Sequence, residues 1–210
     1  MQYLLFIPAS ILISRLLVRP LRRLSYVDEP LFYDDMEFML SFMLSVSFIL
    51  SLSLGKNLLS KILMIVFLFC LCCITYTDAQ AGYIYDRFHI IILFVGIILS
   101  ICDLSDDQLI NINYLEQRLF GCMLGGGFLE LMNSLSIIIL KKEGIGGGDV
   151  KLCFVCGLVL GFSGMTYGFI LTFLPAALYT IISKGIRGQE ISLGPFLCVS
   201  IAAVYCIGRV

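Results

Sequence analysis

Apolar and polar positions along the chain fall into long blocks. Apolar runs cover residues 2–18, 36–54, 58–76, 88–104, 117–140, 150–162, 166–183 and 193–207, with short polar stretches between them. A helix needs about 20 predominantly apolar residues to cross a bilayer, and fewer where its ends are polar or buried. A helix that is apolar all round suits lipid, because it satisfies its own backbone hydrogen bonds there. The pattern predicts an all-α polytopic membrane protein with about eight transmembrane helices, six at the least. The sixth run is short, and the seventh contains Pro175. The first run has no basic segment ahead of it and leads directly into Arg15, Arg19, Arg22 and Arg23, which predicts an uncleaved helix rather than a signal peptide. No Pro/Ser-rich linker, low-complexity tract or helical-repeat period interrupts the pattern, so residues 1–210 read as one integral membrane domain.

Lysine and arginine placement orients these helices. With eight spans, the odd-numbered loops share one side. That side holds Arg15, Arg19, Arg22, Arg23, Arg87, Lys141, Lys142, Lys151, Lys184 and Arg187, ten in all, against four (Lys56, Lys61, Arg118 and Arg209) on the other. The basic side faces the cytoplasm. Both termini are then expected outside, as is the acidic stretch with Asp103, Asp106 and Asp107. Asp78 follows the third run and Asp149 precedes the sixth, so both are expected at cytoplasmic helix ends. Residues remote in sequence would share one depth there.

Composition agrees with the pattern. Hydrophobic residues make up 60% of the chain and charged residues 14%, whereas a soluble domain carries roughly a quarter charged residues. No basic cluster with interleaved aromatics is present, so nucleic acid is not an expected partner. The nine cysteines invite a metal reading. Seven of them (Cys70, Cys72, Cys73, Cys102, Cys122, Cys198 and Cys206) lie in or beside apolar runs without ligand spacing. Cys153 and Cys156 form one CxxC, and one such pair cannot close a four-ligand zinc site. The cysteines are expected to pack between helices as small residues, with no metal and no cofactor.

Candidate chemistry centres on Gly144-Ile145-Gly146-Gly147-Gly148-Asp149-Val150-Lys151. An ionisable group at a membrane is unfavourable and is a functional candidate by default. Gly146, Gly147 and Gly148 remove side-chain bulk beside Asp149 and leave room for another chain to approach. An extended peptide substrate needs such access, because its own backbone groups must find partners away from water. Local physics also allows a glycine-rich turn in which Asp149 merely caps a helix start, and allows the glycines to serve only helix packing. Asp78 sits just after an apolar run, where an interfacial loop aspartate is the plainer alternative. Asp86 lies beside Arg87 and suits a solvated or salt-bridged position.

Two carboxylates brought together make available a chemistry that one does not. Carboxylates in near contact do not both ionise easily, so one stays protonated. The ionised one can activate water while the protonated one donates to a carbonyl oxygen, which is aspartyl protease chemistry without metal or cofactor. A serine triad would have to use His89, the one histidine of the chain, and no nucleophile motif accompanies it; His89 is expected to pack at a helix start. A small membrane transporter would also use buried aspartates and broken helices, but no inverted repeat is visible between the two halves.

The stretch Lys142-Glu143-Gly144-Ile145-Gly146-Gly147-Gly148-Asp149-Val150-Lys151-Leu152 resembles the GxGD signature of type IV prepilin peptidases, and Gly157-Leu158-Val159-Leu160-Gly161 continues the likeness. Ser192-Leu193-Gly194-Pro195-Phe196-Leu197 resembles that family's Gly-Pro segment before its last helix. The Asp78 stretch resembles the first catalytic aspartate region, with Asp86 in the place of its second acidic residue and Tyr85 where a proline is usual. Residues 9–16 are faintly similar to the family's first helix. The resemblance implies an intramembrane aspartyl endopeptidase of the bacterial inner membrane, multi-pass, with its active site facing the cytoplasm. Its substrates would be type IV prepilins or pseudopilins of pilus assembly or protein secretion; a related GxGD peptidase acting on preflagellin-like substrates is the alternative. Asp78 and Asp149 would be the catalytic pair. Gly146, Gly147, Gly148, Lys151 and Asp86 would be motif or substrate-contacting positions. Many family members carry a long first cytoplasmic loop with two CxxC pairs that bind zinc, and also methylate the new N-terminus. Here that loop is only residues 19–35 and has no cysteine, which predicts cleavage without a zinc site and without N-methylation.

Overall fold

The computed structural model describes residue 16 and residues 42–47, 49, 58–106, 112–142, 144–182 and 192–208. The first two predicted spans, 2–18 and 36–54, and the loop 19–35 lie wholly or largely outside the described residues. Among the described residues all regular structure is helical. Five long helices follow one another: α1 (Leu58–Ala81), α2 (Asp86–Asp106), α3 (Ile112–Leu140), α4 (Gly147–Ile182) and α5 (Gly194–Ile207). By length and composition three described helices can cross a membrane, at Leu58–Ala79, Leu115–Ile139 and Gly147–Thr180, and Gly194–Ile207 is a shorter apolar helix. Large apolar side chains point outward along them, among them Phe94, Met123, Ile138 and Leu174, as expected of surfaces in contact with lipid tails. The protein is a helical membrane protein.

The break expected between the sixth and seventh apolar runs falls at Gly161, with no loop. Gly161 has φ 71° and ψ −178°, a conformation no helix contains and one open essentially only to glycine. Pro175, by contrast, lies inside helical backbone. The contacts around Gly161 show that the chain reverses there. Before it, Cys153 packs on Gly125 and Gly157 on Gly121, so this leg runs antiparallel to α3. After it, Phe169 and Phe173 stack on Phe128 with ring centroids 5.1 and 6.0 Å apart, and Tyr179 meets Phe196 at 5.8 Å. The second leg therefore runs back along α3 towards the start of α5. At about 1.5 Å per residue the legs, 147–160 and 162–182, are about 21 and 32 Å long.

Close backbone approach holds the first leg to α3. A Cβ on Gly121 would lie 2.5 Å from the Gly157 carbonyl oxygen, and a Cβ on Gly157 would overlap the Gly121 carbonyl. Small residues at helix interfaces allow this packing in lipid. The reversal leaves the last carbonyls of the first leg without intrahelical partners. Buried Arg118 of α3 donates to one of them, the Leu158 oxygen, at 2.9 Å, and to Ser100 Oγ of α2 at 3.2 Å. A cation at a helix C-terminus also complements the helix dipole.

The remaining helices pack around one core cluster that includes Phe67, Leu71, Ile92, Leu129, Leu152 and Ile201. Cys70, Cys72, Cys73, Cys122, Cys153, Cys156 and Cys198 are buried free thiols within the bundle, as expected for packing residues. α5 runs antiparallel to α1: Phe67 meets Tyr205 at 4.9 Å, and Asp78 meets Ser192. α2 runs alongside the first leg of α4, with Ile84 against Gly148 at one end and Gly96 against Leu158 further along. This topology gathers the C-terminal end of α1 and the N-terminal ends of α2, α4 and α5 at one end of the bundle. Gly161 and Arg118 lie at the other.

Candidate active site

Gly82 ends α1. It has φ 59°, and its N–H donates to the Asp78 carbonyl at 2.9 Å, a left-handed cap that glycine adopts without strain. Asp78 thus sits in the last turn of α1, and its side chain is buried. The Ser192 hydroxyl donates to Asp78 Oδ2. The Gly194 N–H, at the start of α5, also donates to this carboxyl. Pro195 in the first turn of α5 suits a helix start, where a missing N–H leaves no intrahelical bond unmade.

Asp149 arrives from the other side. Asn133 Oδ1 of α3 accepts from the N–H groups of Gly144 and Ile145, both at 3.2 Å, and so ties the glycine loop to α3. The Asp149 N–H donates to the Gly146 carbonyl at 3.0 Å as the helix begins. The capping alternative for Asp149 fails on position: α4 already starts at Gly147, so Asp149 lies inside its first turn. Its side chain is buried, and Oδ1 has no hydrogen-bond partner among the described residues.

Gly194 brings the two carboxyl groups together. A Cβ at Gly194 would overlap Asp78 Oδ2 and would lie 3.2 Å from Asp149 Oδ1. Both side chains therefore converge on one point at the start of α5. The two aspartates come from helix ends 71 positions apart in the numbering, and the Gly-Pro resemblance at Gly194 gave no sign that this glycine lies between them.

The other expected site positions divide. A Cβ on Gly148 would meet Ile84 Cβ at 3.2 Å, so Gly148 faces packing. Among the described residues, a Cβ on Gly147 would meet nothing within 4 Å, and one on Gly146 would meet only Asp149 Oδ2 at 3.7 Å. These two glycines leave open space beside the carboxylate. Asp86 does not join the pair. It starts α2, is exposed, and receives Lys151 Nζ at 2.9 Å. The hydrogen bond and charge of the Lys151 ammonium hold the Asp86 carboxyl below the usual carboxylate range. His89 does more than pack at a helix start: it is buried, with Nε2 3.1 Å from the Gly148 carbonyl oxygen. Ser192, Gly194 and His89 are site neighbours to which their residue types and sequence surroundings assigned no role.

Two buried carboxyl groups converge at one end of an apolar helical bundle, a pairing whose chemistry is acid–base. The chain matches the type IV leader peptidase family over residues 65–181, a span that contains Asp78, Asp86 and Asp149. It is 30% identical over 141 residues to the Leader peptidase HopD of Escherichia coli, an alignment covering 62% of this chain and 81% of that protein. No solved structure matches the chain. The chain belongs to the type IV leader peptidase family and is a protease of the prepilin-peptidase kind.

Proposed function

We propose that the protein is an intramembrane aspartyl endopeptidase that removes the leader of type IV prepilins or pseudopilins at the cytoplasmic face of the inner membrane, without N-methylation. The observation that carries this reading is the convergence of Asp78 and Asp149 on Gly194. The excess of lysine and arginine in the odd-numbered loops of an eight-span topology supports the cytoplasmic orientation. A prepilin has a short charged leader ahead of an apolar helix. That helix partitions into the bilayer and places the scissile bond at the depth of the paired aspartates.

The two aspartates differ in surroundings, and this supports different roles for them. Asp78 accepts from Ser192, an arrangement that suits a carboxylate. It takes a proton from water as the water oxygen bonds to the scissile carbonyl carbon. Asp149, whose Oδ1 is without a partner among the described residues, donates a proton to the carbonyl oxygen. Collapse of the tetrahedral intermediate returns that proton to Asp149. The proton held on Asp78 passes to the departing nitrogen, and the C–N bond breaks. General acid–base groups act at hydrogen-bond reach or through one water. The space beside Gly146 and Gly147 admits the extended substrate backbone.

The test is co-expression of the enzyme with a prepilin, followed by immunoblotting for the shortened product. Asp78→Asn and Asp149→Asn should each abolish leader removal while the protein remains in the membrane. Processing by Asp149→Asn would overturn the reading.

A further inference from the structure

We propose that His89 is a positioning residue for Asp149, and that it acts by holding the carbonyl of the Gly148–Asp149 peptide. The proposal rests on the peptidase reading above.

The glycine run creates a need for such a hold. Three consecutive glycines, Gly146 to Gly148, give the start of α4 ahead of Asp149 a low intrinsic helix preference. Yet Asp149 has to meet Asp78 within hydrogen-bond reach. The peptide plane between Gly148 and Asp149 is fixed at both of its polar atoms. Its N–H donates to the Gly146 carbonyl at 3.0 Å, within the turn itself. Its oxygen faces His89 Nε2 at 3.1 Å. Because that partner is a carbonyl, Nε2 must be the donor and carry the hydrogen. This second bond comes from α2 and ties the loop to the body of the protein across 59 residues of sequence.

Packing alone does not account for a histidine at this position. Its side chain is buried, and Nδ1 has no hydrogen-bond partner among the described residues. Asp86 Oδ1 is 3.6 Å from Nδ1 and is already engaged by Lys151. A buried polar atom left unpaired is unfavourable and rare. A leucine would fill the space without that defect, so the feature a leucine lacks, the Nε2 hydrogen, is what the position uses. Two other links between these turns do not orient the peptide: Ile84 makes apolar contact with Gly148, and the Asp86–Lys151 pair is exposed.

The experiment measures kcat and KM of purified wild type, His89→Leu, His89→Gln and His89→Asn on a prepilin substrate, with the melting temperature of each. A glutamine amide reaches the Nε2 position and can donate to the same carbonyl. An asparagine amide stops at the Nδ1 position. His89→Leu and His89→Asn should lower kcat by about ten- to a hundred-fold, the scale of a misplacement near 1 Å, with KM within about twofold. His89→Gln should return kcat to within about threefold of wild type. Wild-type kcat in His89→Leu, or equal kcat in His89→Gln and His89→Asn, would overturn the proposal. If His89→Leu fails to fold, the glutamine–asparagine comparison decides in the same way. A wild-type enzyme that leaves prepilin uncut overturns the peptidase reading and this proposal with it. An active wild type matched by an equally active His89→Leu overturns this proposal alone.

Discussion

Gly194 stands against Asp78 so closely that a methyl group on its Cα would overlap Oδ2, and the same methyl would lie 3.2 Å from Asp149 Oδ1. The start of α5 therefore forms one wall of the space in which the two carboxyl groups meet. Gly194→Ala should push the carboxyl groups apart and lower the rate of leader removal by about a hundred-fold, the effect of an ångström-scale displacement of reacting groups. Immunoblots of membrane-inserted enzyme with a co-expressed prepilin check this. Activity within twofold of wild type would mean that the observed spacing is not the working one.

The reversal at Gly161 makes a separate prediction about stability. No side chain fits comfortably at φ 71° and ψ −178°, and backbone strain of this kind is of order 1–3 kcal/mol. Gly161→Ala should lower the melting temperature in detergent. Because a Cβ there would meet, among the described residues, only the Gln117 carbonyl, 3.7 Å away, the loss should come from the backbone rather than from a clash. Gly161→Asn should be milder than Gly161→Val, since β-branched residues tolerate positive φ least.

Arg118 lies at the opposite end of the bundle from the aspartates, where it caps the first leg of α4 through the Leu158 carbonyl. Hydrogen bonds to charged groups contribute about 1.5–3 kcal/mol. Arg118→Met should therefore reduce stability by an amount of that order, read as a fall in melting temperature. The enzyme that remains folded should keep its KM, because no substrate contact is removed.

The Asp86–Lys151 pair should show itself in pH dependence rather than in catalysis. Lys151 holds the Asp86 carboxyl below its ordinary value in the folded protein. The pair then contributes stability at pH values above the unfolded carboxyl's value of about 4, and loses it as pH falls through the lower folded value. The difference in melting temperature between wild type and Asp86→Asn should accordingly be present at neutral pH and vanish in strong acid. It should be small and shrink with added salt, because the pair is exposed. Leader removal by Asp86→Asn should fall by less than about tenfold, since this carboxylate stands apart from the converging pair.

Much of the protein was legible in the order of its residues because the solvent is lipid. A span must satisfy its own backbone hydrogen bonds and present apolar side chains almost all round. The helices α1 to α5 are therefore written as blocks, and the alternation of those blocks leads to the expectation that Asp78 and Asp149 lie at helix ends on one side. The glycine run likewise marked Asp149 as unusual before any contact was known. The turn between the sixth and seventh runs was visible too, although the pattern put it at residues 163–165 and the structure puts it at Gly161.

What only the tertiary structure decided is which residues surround the pair. Ser192 and Gly194 stand out in the sequence only as part of a stretch similar to the family's Gly-Pro segment, with no role attached, and His89 reads as any histidine at a helix start. Their roles arise from the antiparallel packing of α5 on α1 and the parallel packing of α2 beside α4. Those packings bring Ser192 to Asp78 across 114 residues and His89 to Gly148 across 59. The division of the glycines was equally hidden: Gly148 meets Ile84, while Gly147 meets nothing among the described residues. A run of identical residues cannot differ in sequence pattern, and only their neighbours in space separate packing from open room. Hydrophobicity is carried by each residue alone and so survives in the one-dimensional record, whereas proximity exists only after helices from distant parts of the chain have packed.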